Sequence, residues 1–314
     1  MSFSGEVKEE LSKHISLARH CQIAELASII QYCGQIADTE NGKKFIKIQT
    51  ENLAVARKYF TLLRKTFNID TDVAEALIKV HSKVNTYESS LEDEDAADKV
   101  LQAIKLFDEQ GKQLTAIDVI NPMIIKKSCC KRALLRGAYL TIGSMSDPEK
   151  GYHFELVCSS EAQAIQLRDI IIDFQVDAKI VIRKKYFVVY VKEGAGIVDL
   201  LNIMEAHVSL MNLENLRILK EMRNSINRRV NCEAANITKT VNAASKQIDD
   251  ILYIQKSVGF ESLPDNLKEM AEVRIEHPDA TLKELGEYLD PPVGKSGVNH
   301  RLRKLSEYAD KLRL

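Results

Sequence analysis

No C-x-x-C pair joins any of the 6 cysteines, no histidine stands four residues from a cysteine or another histidine, and no apolar run reaches bilayer-spanning length. Without a local metal clip, no structural zinc is expected. The thiols at 21, 33, 129, 130, 158 and 232 then read as small buried hydrophobes of a reducing compartment. The longest apolar stretches, residues 180–191 and 197–204, are short, and Arg183, Lys184 and Lys185 break the first. The start, M-S-F-S-G-E-V-K-E-E-L, has acids where a secretory signal needs an apolar core, which points to the cytoplasm and to no membrane partner. G-x-S-x-G, H-E-x-x-H and the phosphate-loop lysine motif are also missing.

Charge of one sign is equally scarce. A net charge of −1 gives no global attraction to nucleic acid, so any such contact must come from local patches. With 45% apolar and 28% charged residues over 314 positions, the chain has the make-up of a folded protein of two or three domains.

Two stretches answer each other, C-Q-I-A-E-L-A-S-I-I-Q-Y-C-G-Q at 21–35 and C-K-R-A-L-L-R-G-A-Y-L-T-I-G-S at 130–144. Both read as apolar helices with small residues on one side, Ala27 and Ser28 in one, Gly137, Ala138 and Thr141 in the other. Small side chains let helix backbones approach, and a terminal glycine is expected to end each helix in the left-handed region. Packed together, they would form the seam of a domain with two-fold pseudo-symmetry.

Around them the order repeats. Residues 3–14 predict an amphipathic helix capped by Ser4, with Val7, Leu11 and Ile15 inward. A strand at 45–49 leads to a helix at 52–67 with Leu53, Ala56, Phe60, Leu63 and Phe67 on its apolar face. Strands at 73–80 and 84–89 follow, then Glu92, Asp93, Glu94 and Asp95 as an exposed helix start. The second half gives strand 152–158, helix 160–174, strands 179–183 and 187–192, and helix 196–204. An offset of 109 carries Gly34 to Gly143, Phe45 to Phe154, Ile48 to Val157, Thr50 to Ser159 and Val80 to Val189. The expected fold class is α+β, a double αββαββα repeat in which strands of both halves join into curved sheets with helices on one face. Gly194-Ala195-Gly196-Ile197 lacks the rest of a dinucleotide fingerprint and reads as a helix start.

A helical connector at 212–230, basic at its far end, leads to an all-α unit with helices at 234–255, 263–276, 281–289 and 296–309. Pro264 marks one helix start, Thr281 and Glu284 form a capping box, and Pro291, Pro292 and Gly294 forbid a continuous helix. Two short helices joined this way are the pattern of a helix-turn-helix. In the last helix Val298, Leu302, Leu305 and Ala309 face inward by spacing. Ser296, His300, Arg303 and Lys304 then face outward, with Asn299 and Arg301 on the flanks. From Lys295 to Lys304 there are four fixed positive charges and no acid, suited to phosphates and base edges. The predicted DNA-binding set is Lys295, Ser296, Asn299, His300, Arg301, Arg303 and Lys304. Secondary contacts are expected from Lys126, Lys127, Lys131 and Arg132, grouped with Arg136, and from the hairpin tip Arg183, Lys184 and Lys185.

The paired helices resemble the LAGLIDADG motifs of homing endonucleases. Laid on this chain, the nine-letter motif gives L-A-S-I-I-Q-Y-C-G at 26–34 and L-R-G-A-Y-L-T-I-G at 135–143. The metal-binding acid of that motif falls on Cys33 and Ile142, neither a carboxylate, while magnesium needs oxygen ligands. This implies a catalytically inactive relative with no metal and no cofactor, and not an enzyme.

The double repeat with a terminal helix-turn-helix resembles the WhiA regulators of Gram-positive bacteria. The likeness is carried by S-F-S-G-E-V-K-E-E-L at 2–11, L-R-G-A-Y-L at 135–140, N-R-R-V-N-C-E-A-A-N at 227–236 and K-S-G-V-N-H-R-L at 295–302. It implies a sequence-specific DNA-binding transcription regulator tied to cell division and chromosome segregation, and to sporulation in sporulating species. The implied place is the cytoplasm at the nucleoid, and the implied partner is promoter DNA bound by a monomer. Actinobacterial members also have a WhiB-like iron–sulfur partner. The expected domains are an N-terminal helix (1–18), two LAGLIDADG-like halves (19–108 and 126–211), the connector (212–230) and the helix-turn-helix domain (231–314). The alternatives are a metal-dependent DNA endonuclease, which needs acids at the helix ends, and a protein-docking platform with secondary DNA binding.

Overall fold

The computed structural model describes residues 2–38, 44–69, 87–116 and 118–313, in two compact units, 1–220 and 221–314. In the first unit the seam helices are α2 (Arg19–Cys33) and α5 (Ser128–Ile142). Every residue from 24 to 30 in α2 and from 133 to 140 in α5 is buried, so neither helix keeps a polar stripe and both are central elements. They touch closely at Gly137, where a Cβ would sit 2.8 Å from the Glu25 carbonyl oxygen and 2.8 Å from Ser28 Cβ. Ser28 Oγ donates to the Leu134 carbonyl at 2.9 Å, so a buried hydroxyl finds its partner across the seam.

The terminal glycines serve differently from the expectation. Gly34 and Gly143 are extended, φ −92° and −86°, and each turns its helix straight into a strand. Space decides their identity. A Cβ would lie 2.4 Å from the Ile30 carbonyl oxygen at Gly34, and 2.4 Å from the Tyr139 ring at Gly143.

The first half continues through β1 (Gly34–Asp38), β2 (Lys44–Thr50), α3 (Leu53–Phe67), β3 (Tyr87–Leu91) and α4 (Glu94–Ala103). The second follows with β4 (Gly143–Met145), β5 (Phe154–Cys158), α6 (Glu161–Asp173), β6 (Lys179–Arg183), β7 (Tyr186–Val191) and α7 (Gly194–Met204). Among the described residues each half keeps its own antiparallel sheet, β1-β2-β3 and β4-β5-β7-β6, and no strand is shared between them. Among these residues, therefore, joint sheets are not formed. The predicted strand 73–80, with the Val80–Val189 match, lies outside the described residues.

The repeat register changes within each half. Gly34 and Gly143 are 109 apart, but their cross-strand partners Ile48 and Leu156 are 108 apart. Ile46 and Ile48 are buried, as are Phe154 and Leu156, whereas Phe45 is only partly buried. The matches of Phe45 with Phe154, Ile48 with Val157 and Thr50 with Ser159 are each one residue out. A slip of one exchanges the faces of a strand, and burial fixes which register holds.

Helix α3 is capped by Asn52, whose Oδ1 accepts from the Ala54 amide at 2.9 Å. Its buried face is Val55, Tyr59, Leu62 and Leu63 together with Lys58, while Leu53 is 37% exposed and Phe60 and Phe67 are half-buried. The predicted stripe shares only Leu63 with this face, and Lys58 turns inward to a buried carboxylate. Helix α1 (Phe3–Lys13) is capped by Ser2, not Ser4. Ser4 Oγ instead lies 3.0 Å from Tyr139 Oη and accepts from the Met145 amide at 3.2 Å, pinning α1 to the second half. Asp93 caps α4 as the acidic run suggests, accepting from the Ala96 amide at 3.1 Å.

Helix α8 (His207–Ser257) joins the two stretches that sequence reading separates at 212–230 and 234–255. No glycine or proline occurs between 207 and 257, so nothing breaks it. The second unit adds α9 (Asp265–Glu276), α10 (Leu282–Glu287) and α11 (Lys295–Arg313). The Thr281–Glu284 capping box is formed. Its core joins Ile251, Ile254, Met270, Leu285, Val298 and Leu302, each contributing about 1.5–3 kcal/mol by leaving water. Of the cysteines, 21, 130 and 158 are buried and 33 half-buried, but Cys129 and Cys232 are exposed, against the expectation.

Candidate nucleic-acid interface

The helix α11 is held at a fixed angle by its turn and by α9. The Val293 amide donates to the Gly286 carbonyl at 2.9 Å, and a Cβ at position 286 would fall 2.0 Å from the Val293 carbonyl oxygen. Only glycine lets α10 and the turn come so close. Glu269 braces the other side: Oε1 accepts from the Asp290 amide at 2.8 Å, and Oε2 pairs with Arg301 Nη1 at 3.3 Å.

On that support Val298, Leu302, Leu305 and Ala309 are buried as predicted. Lys295, Ser296, Asn299, His300, Arg303 and Lys304 are exposed on the other side. Arg301, predicted on a flank, is 19% exposed at its side chain and committed to Glu269 and to the Asn266 carbonyl at 3.4 Å. Arg303 meets Glu307 at 3.2 Å, but both side chains are well exposed and such a pair holds weakly against phosphate. The face offers guanidinium, ammonium, amide, imidazole and hydroxyl groups at the start of a helix, where the dipole also favours an anion. Asparagine matches adenine edges and arginine matches guanine edges in a major groove.

The secondary basic residues fall on two elements. Lys126 and Lys127 are exposed just before α5. Lys131 pairs with Asp173 at 2.5 Å, and Arg132 lies 5.5 Å from the centre of the Phe174 ring. At the β6–β7 tip Arg183 pairs with Glu155 at 2.8 Å, Lys184 takes φ 55°, and Lys185 lies over the Tyr186 ring at 5.4 Å. Arg136 does not belong with them. It is buried, and its guanidinium reaches Glu25 Oε1 at 3.1 Å, Glu205 Oε2 at 2.7 Å, Ser16 Oγ at 2.8 Å and the Met204 carbonyl at 3.2 Å.

Sequence reasoning also missed the partners of Arg136. Glu25 is buried and pairs with Lys58 at 3.0 Å, and Lys58 donates to the carbonyls of Leu11 and His14. Burial, followed by the Arg136 charge, pushes the His14 imidazole below its usual pKa. The two acids and two bases of this group then cancel. The signal was an arginine beside Gly137, inside an apolar helix.

At the far ends of the seam helices stand Cys33 and Ile142. Cys33 Sγ donates to the Ile29 carbonyl at 3.1 Å, and burial pushes its thiol up to about 12, so it stays protonated. A cavity of about 580 Å3 there is lined by Lys8, Tyr32, Cys33, Gln49, Thr50 and Thr141 among others. Burial lowers the Lys8 ammonium to about 8. A thiol and an alkyl group are poor ligands for a hard cation, which the acids of a nuclease would hold.

Residues 19–107 match the WhiA N-terminal LAGLIDADG-like domain, 131–223 the WhiA LAGLIDADG-like domain, and 226–309 the WhiA C-terminal HTH domain. The chain is 55% identical over 315 residues to the probable cell division protein WhiA of Lachnoclostridium phytofermentans, covering 100% of both. It is 49% identical over 313 residues to that of Alkaliphilus oremlandii, covering 99% of this chain and 98% of the relative. The crystal structure of full-length WhiA from Thermatoga maritima superposes with TM-score 0.61 at 23% identity over 99% of each chain, a likeness of fold.

Proposed function

The chain belongs to the WhiA family, and from that premise we propose that it is a sequence-specific DNA-binding transcription regulator of genes for cell division and chromosome segregation. Its curated relatives carry the name probable cell division protein WhiA. The observation that carries the reading is the outward face of α11, where six polar or basic side chains stand exposed on a helix braced by Gly286 and Glu269.

In this reading α11 enters the major groove. Asn299, His300 and Arg303 read base edges there, while Lys295, Ser296 and Lys304 hold phosphates. Arg301 acts through Glu269 to set the helix. Lys126, Lys127, Lys131, Arg132, Arg183, Lys184 and Lys185 add salt-sensitive backbone contacts. The LAGLIDADG-like unit keeps the packing of its seam and has lost the cleavage reaction, since Cys33 and Ile142 stand where acids would hold the metal. The protein works on the chromosome in the cytoplasm, and among the described residues no helix is long and apolar enough to cross a membrane.

Genome-wide occupancy tests the proposal. The full chain is expected to mark discrete promoter sites, and a full chain with Lys295, Arg303 and Lys304 replaced by alanine is expected to lose them. Occupancy unchanged by the triple substitution would overturn the assignment of this face.

A further inference from the structure

At the opposite ends of the seam helices from Cys33 and Ile142, four soft donors come together. His20 and Cys21 lie in the first turn of α2, Cys129 and Cys130 in the first turn of α5. One ligand atom from each lies within 4.8 Å of every other. His20 Nδ1 is 3.2 Å from Cys130 Sγ and 3.3 Å from Cys21 Sγ. No local spacing announces the group, because its two halves are 109 positions apart.

That interval is the offset relating α2 to α5, whose bounds differ by 109 throughout. His20 therefore occupies the position of Cys129, and Cys21 that of Cys130, so the two helices contribute equivalent pairs about the pseudo-two-fold seam. Three sulfurs and one imidazole nitrogen are the donor set of a structural zinc site. Tetrahedral zinc, with Zn–S of about 2.3 Å and Zn–N of about 2.0–2.1 Å, spaces its ligands roughly 3.5–3.8 Å apart. The two imidazole–sulfur distances lie just inside this spacing and no pair exceeds it by more than about 1 Å, so small side-chain shifts bring all four donors onto one ion.

The surroundings favour a thiolate-rich centre over one of hard ligands. Zinc with three thiolates and a neutral histidine carries one net negative charge, and the positive ends of both helices meet it. Cys21 and Cys130 are buried against Ala24 and Ala133, closing the inner side. His20 and Cys129 are exposed and leave a way in for the ion.

We propose that His20, Cys21, Cys129 and Cys130 bind one zinc ion that staples the two halves of the LAGLIDADG-like unit across the N-terminal ends of α2 and α5. The thiol protons leave to solvent as the ion binds, and no redox step is involved. The ion ties together two helices that are otherwise joined by packing, by the Ser28–Leu134 hydrogen bond and by the Glu25–Arg136 group. It is a structural ion, at the end of the seam remote from Cys33 and Ile142.

The full-length protein, purified under reductant, loaded with zinc and desalted, is expected to retain one zinc per chain by elemental analysis. Cobalt(II) in its place is expected to give the intense visible bands of a tetrahedral centre and a thiolate-to-cobalt charge-transfer band. Cys129→Ser, at an exposed position, should fold normally and bind zinc more weakly by more than about tenfold. Cys232→Ser, also exposed and outside the cluster, should retain the ion. A strong chelator should lower the unfolding temperature of the parent and leave that of Cys129→Ser unchanged. Substoichiometric zinc, an octahedral cobalt spectrum, or equal retention by Cys129→Ser would each overturn the proposal. So would a disulfide within the cluster, seen as a loss of two mass units, if the reduced protein still refused the metal.

Discussion

Glu25 and Arg136 meet across the seam, Oε1 3.1 Å from Nε, with both side chains sealed from water. One comes from each half, and Lys58 and Glu205 complete the balance of charge. Removing one partner leaves the rest with an uncompensated buried charge, which costs more than the pair contributes. Arg136→Met is therefore expected to destabilise the first unit by about 3–5 kcal/mol in denaturant titration. Combining it with Glu25→Gln should cost clearly less than the two single changes added, because the two share one interaction. A stability within about 0.5 kcal/mol of the parent for Arg136→Met would refute this account.

Arg301 and Arg303 stand two residues apart and should behave differently. Arg303→Ala is expected to weaken binding to a cognate promoter by about 1–3 kcal/mol with no change in melting temperature. Arg301→Ala breaks the pair with Glu269 and should lower the stability of the second unit as well as its affinity. Fluorescence anisotropy beside calorimetry separates the two, and identical behaviour of the variants would be fatal to the distinction.

Gly286→Ala places a methyl group 2.0 Å from the Val293 carbonyl oxygen, so the turn into α11 must move. The expected loss in the second unit is about 1–3 kcal/mol, accompanied by weaker DNA binding because the helix loses its set angle. A variant that melts and binds like the parent would show that the turn yields without consequence.

Lys8 gives a pH signature. Burial holds its ammonium at about 8 in the folded chain against 10.5 for a solvated lysine, so the folded state gives up the proton first. Below pH 8 the charge is carried in both states and its burial penalty is in force. From pH 8 to 10.5 the unfolded state holds more protons, and this group's contribution to stability rises with pH. Lys8→Met should thus stabilise the protein at pH 7, with a gain that shrinks towards pH 10.5. Equal gains in urea midpoint at pH 7 and pH 10 would exclude this origin.

Periodicity and local caps made much of the architecture legible. The seam helices stand out because their small residues and terminal glycines recur together, and the second unit because Pro264, the Thr281 box and the Pro291–Gly294 turn are local signals. The inward and outward faces of α11 followed from Val298, Leu302 and Leu305 alone. Features that depend on distant partners stayed hidden. Lys58 is drawn inward by the distant Glu25, and of the face predicted for α3 only Leu63 is fully buried. Phe45 and Phe154 drew the eye as identical residues, but burial pairs Phe154 with Ile46. His20, Cys21, Cys129 and Cys130 had no local spacing to betray them.

The division of labour along α11 has an evolutionary side. Positions 299, 300, 303 and 304 take no part in the core, while 301 is tied to Glu269 and 298, 302 and 305 are packed. In the proposed reading, substitutions at 299, 300 and 303 alter which sequence is bound without disturbing the helix that presents them. A regulator built this way can acquire a new operator in small steps, each leaving a folded protein for selection to act upon.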